Sequence, residues 1–304
     1  MFVVVCIVGY NNPHDVMQCV SSLANSTHQA FEVVICENAS ASMRDELVET
    51  LPARLPGGQP LSVLPFAGNS GYAGGNNRCI AARPDADAWW ILNPDSRVAP
   101  DTMGLLASWL ESNKLDAVGS TLLKPDGTVQ AYGGRWVPLL GRAISIGNGS
   151  RFDGDAPHQT HDIDYVLGAS VMFSRHFLET AGFMRDDYFL YGEEVEWGLR
   201  AKSRGLRLGV DRAAVVHHEQ GTTTGDGGSF RDKPKLPVYL DQRNKLLVLR
   251  DTTPRLLVPA AVGTLVALTA RAVKNKAWRQ LGYGVAGLAA GLANRRGMPP
   301  WLKS

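Results

Sequence analysis

FVVVCIVGYNN, Phe2 to Asn12, sets the architecture. Its β-branched run has no polar alternation, so it reads as a strand covered on both faces. It ends in a polar loop, GYNN, at the strand's carboxyl end. The pattern then repeats. FEVVICE (Phe31 to Glu37), LSVLPF (Leu61 to Phe66) and AWWILN (Ala88 to Asn93) are short β-branched or aromatic runs. Between them lie helix-like segments, Pro13 to Ser26, Ser42 to Leu51 and Gly74 to Arg83. Strands alternating with helices predict right-handed βαβ units around a largely parallel sheet. The loops GYNN, ENAS, AGNSGYAGGNN and NPDSR all follow strands, at the edge where open α/β sheets bind ligands.

From about Leu115 the rhythm changes. LLKPDGTVQ, Leu122 to Gln130, is a turn between short strands, and residues 135–162 are glycine-rich and weakly patterned. Residues 163–218 return to strand, helix and strand. Residues 219–237 are rich in Gly, Thr, Asp and Lys, which predicts a mobile loop, and the remainder is helical and basic.

The chain has 304 residues with 31 Lys and Arg against 29 Asp and Glu, a balance of +2 that argues against general nucleic-acid binding. Its four cysteines, Cys6, Cys19, Cys36 and Cys79, have no C-x-x-C pair and read as small buried hydrophobes, a usage that fits a reducing cytosol. The N-terminus lacks a basic region and a small-residue cleavage site, so it reads as a core strand and not a signal peptide. The apolar run Leu256 to Ala270 has 15 residues, interrupted by Pro259 and Gly263. That is short of the ~20 needed to span a bilayer.

Three groups could carry chemistry. The loop Ala67 to Asn77 has neither a dinucleotide nor a P-loop fingerprint, yet its glycines and amides suit a polar ligand; a turn with a helix cap is the other reading. Asp95 leaves the sheet at its ligand edge and could bind Mg²⁺ or Mn²⁺ on a diphosphate, or simply occupy a proline turn. His217 and His218 end another apolar run, either as structural residues or around one ion with Asp95. Finally YFLYGEEVEWGLRAK, Tyr188 to Lys202, crowds Glu193, Glu194 and Glu196 at a helix start among aromatics. Acidic residues complement a helix N-terminus. That does not explain the aromatic surround.

GYNN, ENAS, NSGYAGGNN, LNPDS, GAS, FLYGEEVEWGLR and HHE, in this order, resemble the family 2 glycosyltransferases, closest to bacterial rhamnosyltransferase-like members. The resemblance implies a GT-A fold: an α/β nucleotide-diphospho-sugar transferase with a Rossmann-like mixed sheet, here with a C-terminal helical extension. It divides the chain into a catalytic domain, 1–235, and the extension, 236–304. Within the former, 1–120 would bind nucleotide-sugar and 121–235, with the mobile loop 219–237, the acceptor. Tyr10, Asn11, Glu37 and Asn38 match positions for base and ribose. Asn69, Gly71, Tyr72, Ala73 and Asn76 match the nucleoside and diphosphate loop, followed by Asn93 and Asp95. Asp95 with His217 would hold Mg²⁺ or Mn²⁺, although the motif's third position, often acidic, is Arg97. Glu194 matches the general base, with Glu193 and Glu196 beside it. Tyr191 and Trp197 would stack on sugar faces, unless they are core aromatics. Arg243 and Asn244 would touch the acceptor, unless their helix is merely solvated.

The implied activity is inverting, metal-dependent transfer from a nucleoside-diphosphate sugar, with dTDP-L-rhamnose the leading donor. The acceptor would be a hydroxyl on a glycan or a polyprenyl-diphosphate-linked glycan of a bacterial surface polysaccharide. The resemblance also points to a cytoplasmic enzyme touching the inner face of the membrane through basic, apolar C-terminal helices. Packing onto the catalytic domain or into a homodimer is the competing use of that tail. A sugar nucleotidyltransferase is the rival enzyme, disfavoured because GYNNPHD has no basic residue, and a Rossmann dehydrogenase lacks its fingerprint. A non-catalytic nucleotide-sugar-binding homologue is favoured by Arg97 and by glutamate at positions 37 and 194.

Overall fold

The computed structural model describes residues 1–154, 159–160, 162–219 and 229–302. Strands β1 (Val3–Gly9), β2 (Phe31–Glu37), β3 (Leu61–Val63) and β4 (Ala88–Leu92) are parallel, joined through helices α1 (Pro13–Leu23), α2 (Ala41–Thr50) and α3 (Gly71–Ala81). Pro13 opens α1, where its missing N–H costs nothing, and the Ser40 hydroxyl caps α2 by accepting from the Met43 amide at 3.2 Å. Next come β5 (Ser96–Val98), α4 (Thr102–Glu111), β6 (Ala117–Leu123), β7 (Val129–Ala131), the hairpin β8 (Gly134–Val137) and β9 (Arg142–Ser145), and β10 (Gln159–Thr160). β11 (Ser170–Ser174), α5 (Arg175–Ala181), α6 (Glu193–Ser203) and β12 (Leu208–His218) complete the catalytic half. Helices α7 (Lys235–Thr252), α8 (Leu257–Asn275) and α9 (Trp278–Leu292) form the extension.

The main sheet has the order β10-β12-β6-β11-β4-β1-β2-β3 among the described residues. It is mixed: β11 runs antiparallel to both β4 and β6, while β12 returns parallel to β6. Reversal of β11 pairs Ser170, at its start, with Leu92, at the end of β4. The GAS loop and the NPD loop therefore share one edge. Along β1, Val3, Val5 and Ile7 face a core with α1 and α4. Val4 and Cys6 face another with α3, α5 and Trp197 of α6. This double burial is why the strand shows no polar alternation. All four cysteines are buried and unpaired.

The extension shares one core with Trp136, Tyr165, Tyr188 and Val195 of the preceding chain. Leu246, Leu247 and Leu249 of α7 meet Leu268 and Ala272 of α8 and Leu288 of α9. Small residues let α9 come close: a Cβ on Gly287 would lie 2.3 Å from the Tyr239 carbonyl oxygen. The interruption expected at Pro259 and Gly263 does not occur. Pro259 falls in the first turn of α8, where no intrahelical N–H is needed, so the helix runs 19 residues. Pro254–Asn275 is long and apolar enough, by length and composition, to cross a membrane, and 22 % of its most apolar window is buried. Of the expected mobile loop 219–237, residues 220–228 lie outside the described residues; Phe230–Asp232 is a 3₁₀ turn and Lys235 already begins α7.

Candidate active site

A cavity of about 380 Å³ opens at the carboxyl edge of the parallel strands. Its wall draws Tyr10 from the loop after β1, Asn38 from that after β2, Asn69, Gly71 and Tyr72 from the start of α3, and Asn93 and Asp95 from that after β4. Across from them stand Tyr191, Glu193 and Glu194. Ten of the expected residues, from four loops and one helix start, thus surround one space.

The loop leading into α6 is backbone under tension. Phe189 and Tyr191 have φ of 71° and 72°, and Gly192, before the helix, 86°. Non-glycine residues with such φ cost free energy and persist only where neighbours hold them. Two sets of neighbours do so. The Tyr72 amide donates to the Phe189 carbonyl at 2.8 Å. From α7, the Asn244 amide group reaches the carbonyls of Tyr188, Leu190 and Tyr191 at 3.1, 2.8 and 2.6 Å. Arg243 donates to the Tyr188 carbonyl at 2.6 Å, to that of Gly297 at 2.7 Å and to the Asn244 side-chain oxygen at 2.8 Å. Both side chains are 1 % exposed. They brace the site: Arg243 lines neither cavity, against its expected contact role, while Asn244 edges a second cavity beside Glu194.

Two further expectations are corrected by where α6 points, Glu196 beside the base and Trp197 on a sugar face. Glu196 pairs with Arg200 at 2.8 Å and lines neither cavity. Arg200 also donates to the carbonyls of Ala181 and Phe183, and Trp197 to that of Gly182. Trp197 is packed edge-on against Phe173 and Phe177, so it is a core residue, not a sugar platform. The Glu196, Trp197 and Arg200 face clamps the end of α5, leaving Glu193 and Glu194 for the cavity. Burial, then the neighbouring Glu194 carboxylate, push Glu193 up to about 8. Its Oε2 is buried without a hydrogen-bond partner, so near neutrality it is a protonated carboxyl facing the cavity. Glu194 is half-buried and also raised, by burial.

At the other wall, β12 presents His218 and not His217. His218 Nε2 lies 3.1 Å from Asp95 Oδ1 and 3.1 Å from Asn93 Nδ2, while Nδ1 meets Gln130 Oε1 at 2.8 Å. His217 is exposed on the opposite face, in register with Arg97, whose guanidinium pairs with Glu219 at 2.5 Å. His217 therefore faces away from Asp95, against expectation, and its neighbour His218 faces it. An amide oxygen facing Nδ1 places the proton there, and the Nε2 lone pair then faces the Asn93 amide donor as well as Asp95. Two electron-pair donors facing each other at 3.1 Å fit a divalent cation, whose remaining positions a diphosphate would fill. No group of three or more His, Cys, Asp or Glu suited to a metal exists among the described residues.

Some donor-loop residues act from behind the wall. Glu37 is 1 % exposed and accepts the Ala39 amide at 2.6 Å, so it ties the first two loops together instead of entering the cavity. Burial raises it, against the amides of Ala39, Asn11 and Asn38. Asn11, at φ 55°, is exposed outside the cavity, and Ala73 and Asn76 are buried within α3. Gln130, Gly168, Phe189 and Leu302 line the cavity without having been singled out individually. Gln130 ends the turn sequence LLKPDGTVQ, which carried no chemical signal, and Leu302 returns from the far end of the chain.

The arrangement gathers strand-end amides and glycines, the Asp95 carboxylate and the helix-start carboxylates Glu193 and Glu194 around one cavity. The sequence profile of "Glycosyl transferase family 2" matches residues 4–180. The chain belongs to this family. Over 97 % of its length it is 23 % identical to the low-salt glycan biosynthesis hexosyltransferase Agl10 of Haloferax volcanii, covering 92 % of that protein. Over 74 % it is 26 % identical to the N-acetylglucosaminyl-diphospho-decaprenol L-rhamnosyltransferase of Mycobacterium tuberculosis, covering 78 % of it. Among solved structures, S. aureus TarS 1–349 matches with TM-score 0.59 and 15 % identity, over 97 % of this chain and 82 % of that one. GalNAc-T7 with UDP, GalNAc and Mn²⁺ matches with TM-score 0.60 and 14 % identity, over 82 % and 48 %. The fold is GT-A, and the protein is a glycosyltransferase.

Proposed function

We propose that the chain transfers a sugar from a nucleoside-diphosphate donor to an acceptor hydroxyl with inversion, with Glu194 as general base. The observation that carries this is the position of Glu194. It lines the donor-side cavity and also a second cavity of about 380 Å³ bounded by Trp136, Tyr191 and Asn244. A carboxylate on the boundary of two cavities can touch a nucleophile in one and face an electrophile in the other.

In this reading Tyr10, Asn38, Asn69 and Tyr72 hold the nucleoside and Asn93 the diphosphate edge. Glu194 takes the proton of the acceptor hydroxyl, whose oxygen forms a bond to the anomeric carbon as the bond from that carbon to the phosphate oxygen breaks. The leaving electron pair stays on the diphosphate. Asp95 and His218 would hold a Mg²⁺ or Mn²⁺ ion, which when bound offsets the charge growing on that diphosphate. Protonated Glu193 can donate a hydrogen bond into the donor cavity, and Gln130 fixes the His218 ring.

dTDP-L-rhamnose and a lipid-linked glycan are the substrates we favour, supported by the likeness to the mycobacterial L-rhamnosyltransferase. Work at the inner face of the cytoplasmic membrane follows from such an acceptor. Incubating the full chain with a panel of activated sugars, with Mn²⁺ or Mg²⁺, tests the activity. Release of nucleoside diphosphate from one donor, above the background of a Glu194→Gln variant, is expected. Tight nucleotide binding with no release from any donor would favour a binding homologue instead.

A further inference from the structure

We infer that Leu236 and Leu302 decide which nucleophile the donor meets: from the extension they wall the donor cavity against water, so that the acceptor hydroxyl reacts and hydrolysis does not. The inference rests on the reading of Glu194 as general base. The strand-end loops give the first cavity amide side chains, while Leu190, Leu236 and Leu302 give it a side with nothing to donate or accept. That side lies toward the acidic helix. Leu190 belongs to the strained loop just before Glu193 and Glu194, and Leu236 packs in one cluster with Phe189, Leu190, Tyr191 and Trp301.

Leu302 ends the 3₁₀ turn Pro300–Leu302, which is anchored rather than free. Trp301 stands edge-on to Tyr239 of α7 with ring centroids 4.5 Å apart, and Lys235 Nζ lies 3.9 Å from the Trp301 centroid. Just upstream, Arg296 pairs with Asp251 at 2.8 Å and with Asp187 at 3.3 Å. Arg243 donates to the carbonyls of both Gly297 and Tyr188, so one guanidinium ties the approach to this turn to the loop before Glu193. Yet Leu302 itself is 40 % exposed. A bare apolar side chain on a cavity wall gains nothing until a bound ligand covers it and drives water off. Exclusion of water is what this reaction needs at that end. A base that takes a proton from an acceptor hydroxyl takes one from water too. Water oxygen would then bond to the anomeric carbon as the bond to the phosphate oxygen breaks, its electron pair staying on the diphosphate, and Glu194 would receive the proton. The products would be free sugar and nucleoside diphosphate. Amides hold water as readily as they hold a sugar; leucines covering the sugar's open side keep it out.

The test incubates the full chain with dTDP-L-rhamnose and Mn²⁺ without any acceptor and measures free rhamnose, beside calorimetric binding of dTDP. Leu302→Asn, and Leu236→Ala with Leu302→Ala, should each release free sugar at least fivefold faster than the wild type. Adding Glu194→Gln to Leu302→Asn should remove that gain, because the water admitted still needs the base. Leu139→Ala, at a leucine 57 % exposed that lines neither cavity, should hydrolyse the donor as the wild type does. All variants should bind dTDP within twofold of the wild type, which shows that they fold. Hydrolysis unchanged in the Leu236 and Leu302 variants, or raised equally in Leu139→Ala, would overturn the inference. So would a loss of dTDP affinity in the Leu302 variants, which would make the turn a nucleotide contact instead. Failure of the wild type to bind dTDP at all would overturn the donor reading beneath it.

Discussion

The Phe189 carbonyl accepts the Tyr72 amide at 2.8 Å, and a Cβ at position 71 would stand 2.1 Å from that same oxygen. The donor loop and the loop before the acidic helix are pinned to each other at a point only glycine permits. Gly71, at φ 73°, meets both demands, the positive φ and the close approach.

Gly71→Ala should therefore separate the two walls. The expected cost is about 2 kcal/mol or more in urea unfolding, from strain and clash together. Nucleoside-diphosphate affinity should fall with it. A variant with unchanged midpoint and affinity would show that the contact is not needed.

The two histidines offer a paired comparison. His218→Ala should weaken Mn²⁺ binding, read by electron paramagnetic resonance, and Gln130→Ala should do so by about tenfold through loss of ring orientation. His217→Ala should bind the ion as the wild type does. Equal losses in the two histidine variants would contradict the assignment to His218.

Glu193 predicts a slope in stability. Unfolded, it ionises near the ordinary 4.5; folded, it does so at about 8. Its stabilising contribution is fully present below the unfolded value and is lost as pH rises through the folded one. The melting temperature should drop between about pH 5 and about pH 9 more steeply in the wild type than in Glu193→Gln. Parallel curves would mean that this carboxyl is not held neutral.

Asn244→Ala tests the brace. Loss of hydrogen bonds to three strained carbonyls should cost about 1–3 kcal/mol in urea unfolding and lower kcat by releasing residues 188–191. If kcat held while stability fell, Asn244 would be structural only.

The parallel half of the sheet was legible because buried strands there leave unbroken apolar runs, as in Phe2 to Gly9, and polar loops mark their ends. Reversal of β11 was not, since a five-residue strand reads the same in either direction. The choice between His217 and His218 failed for a local reason. Both histidines end one apolar run, and only the folded strand shows His218 buried beside Asp95 and His217 exposed. Arg243 read as an acceptor contact or a solvated helix position because charge alone does not reveal the two carbonyls, of Tyr188 and Gly297, that distant segments bring to it. The second cavity joins β8–β9, α7 and α8, which only the fold brings together.

The central claim is that Glu194, on the wall of both cavities, takes the proton of the acceptor hydroxyl. Glu194→Gln keeps the side chain's size and removes its basicity, so the decisive measurement is single-turnover transfer in this variant beside its donor affinity. Transfer should fall by about a hundredfold to ten-thousandfold, with donor affinity within a few-fold of wild type. A Gln variant that transfers sugar at the wild-type rate would contradict the account.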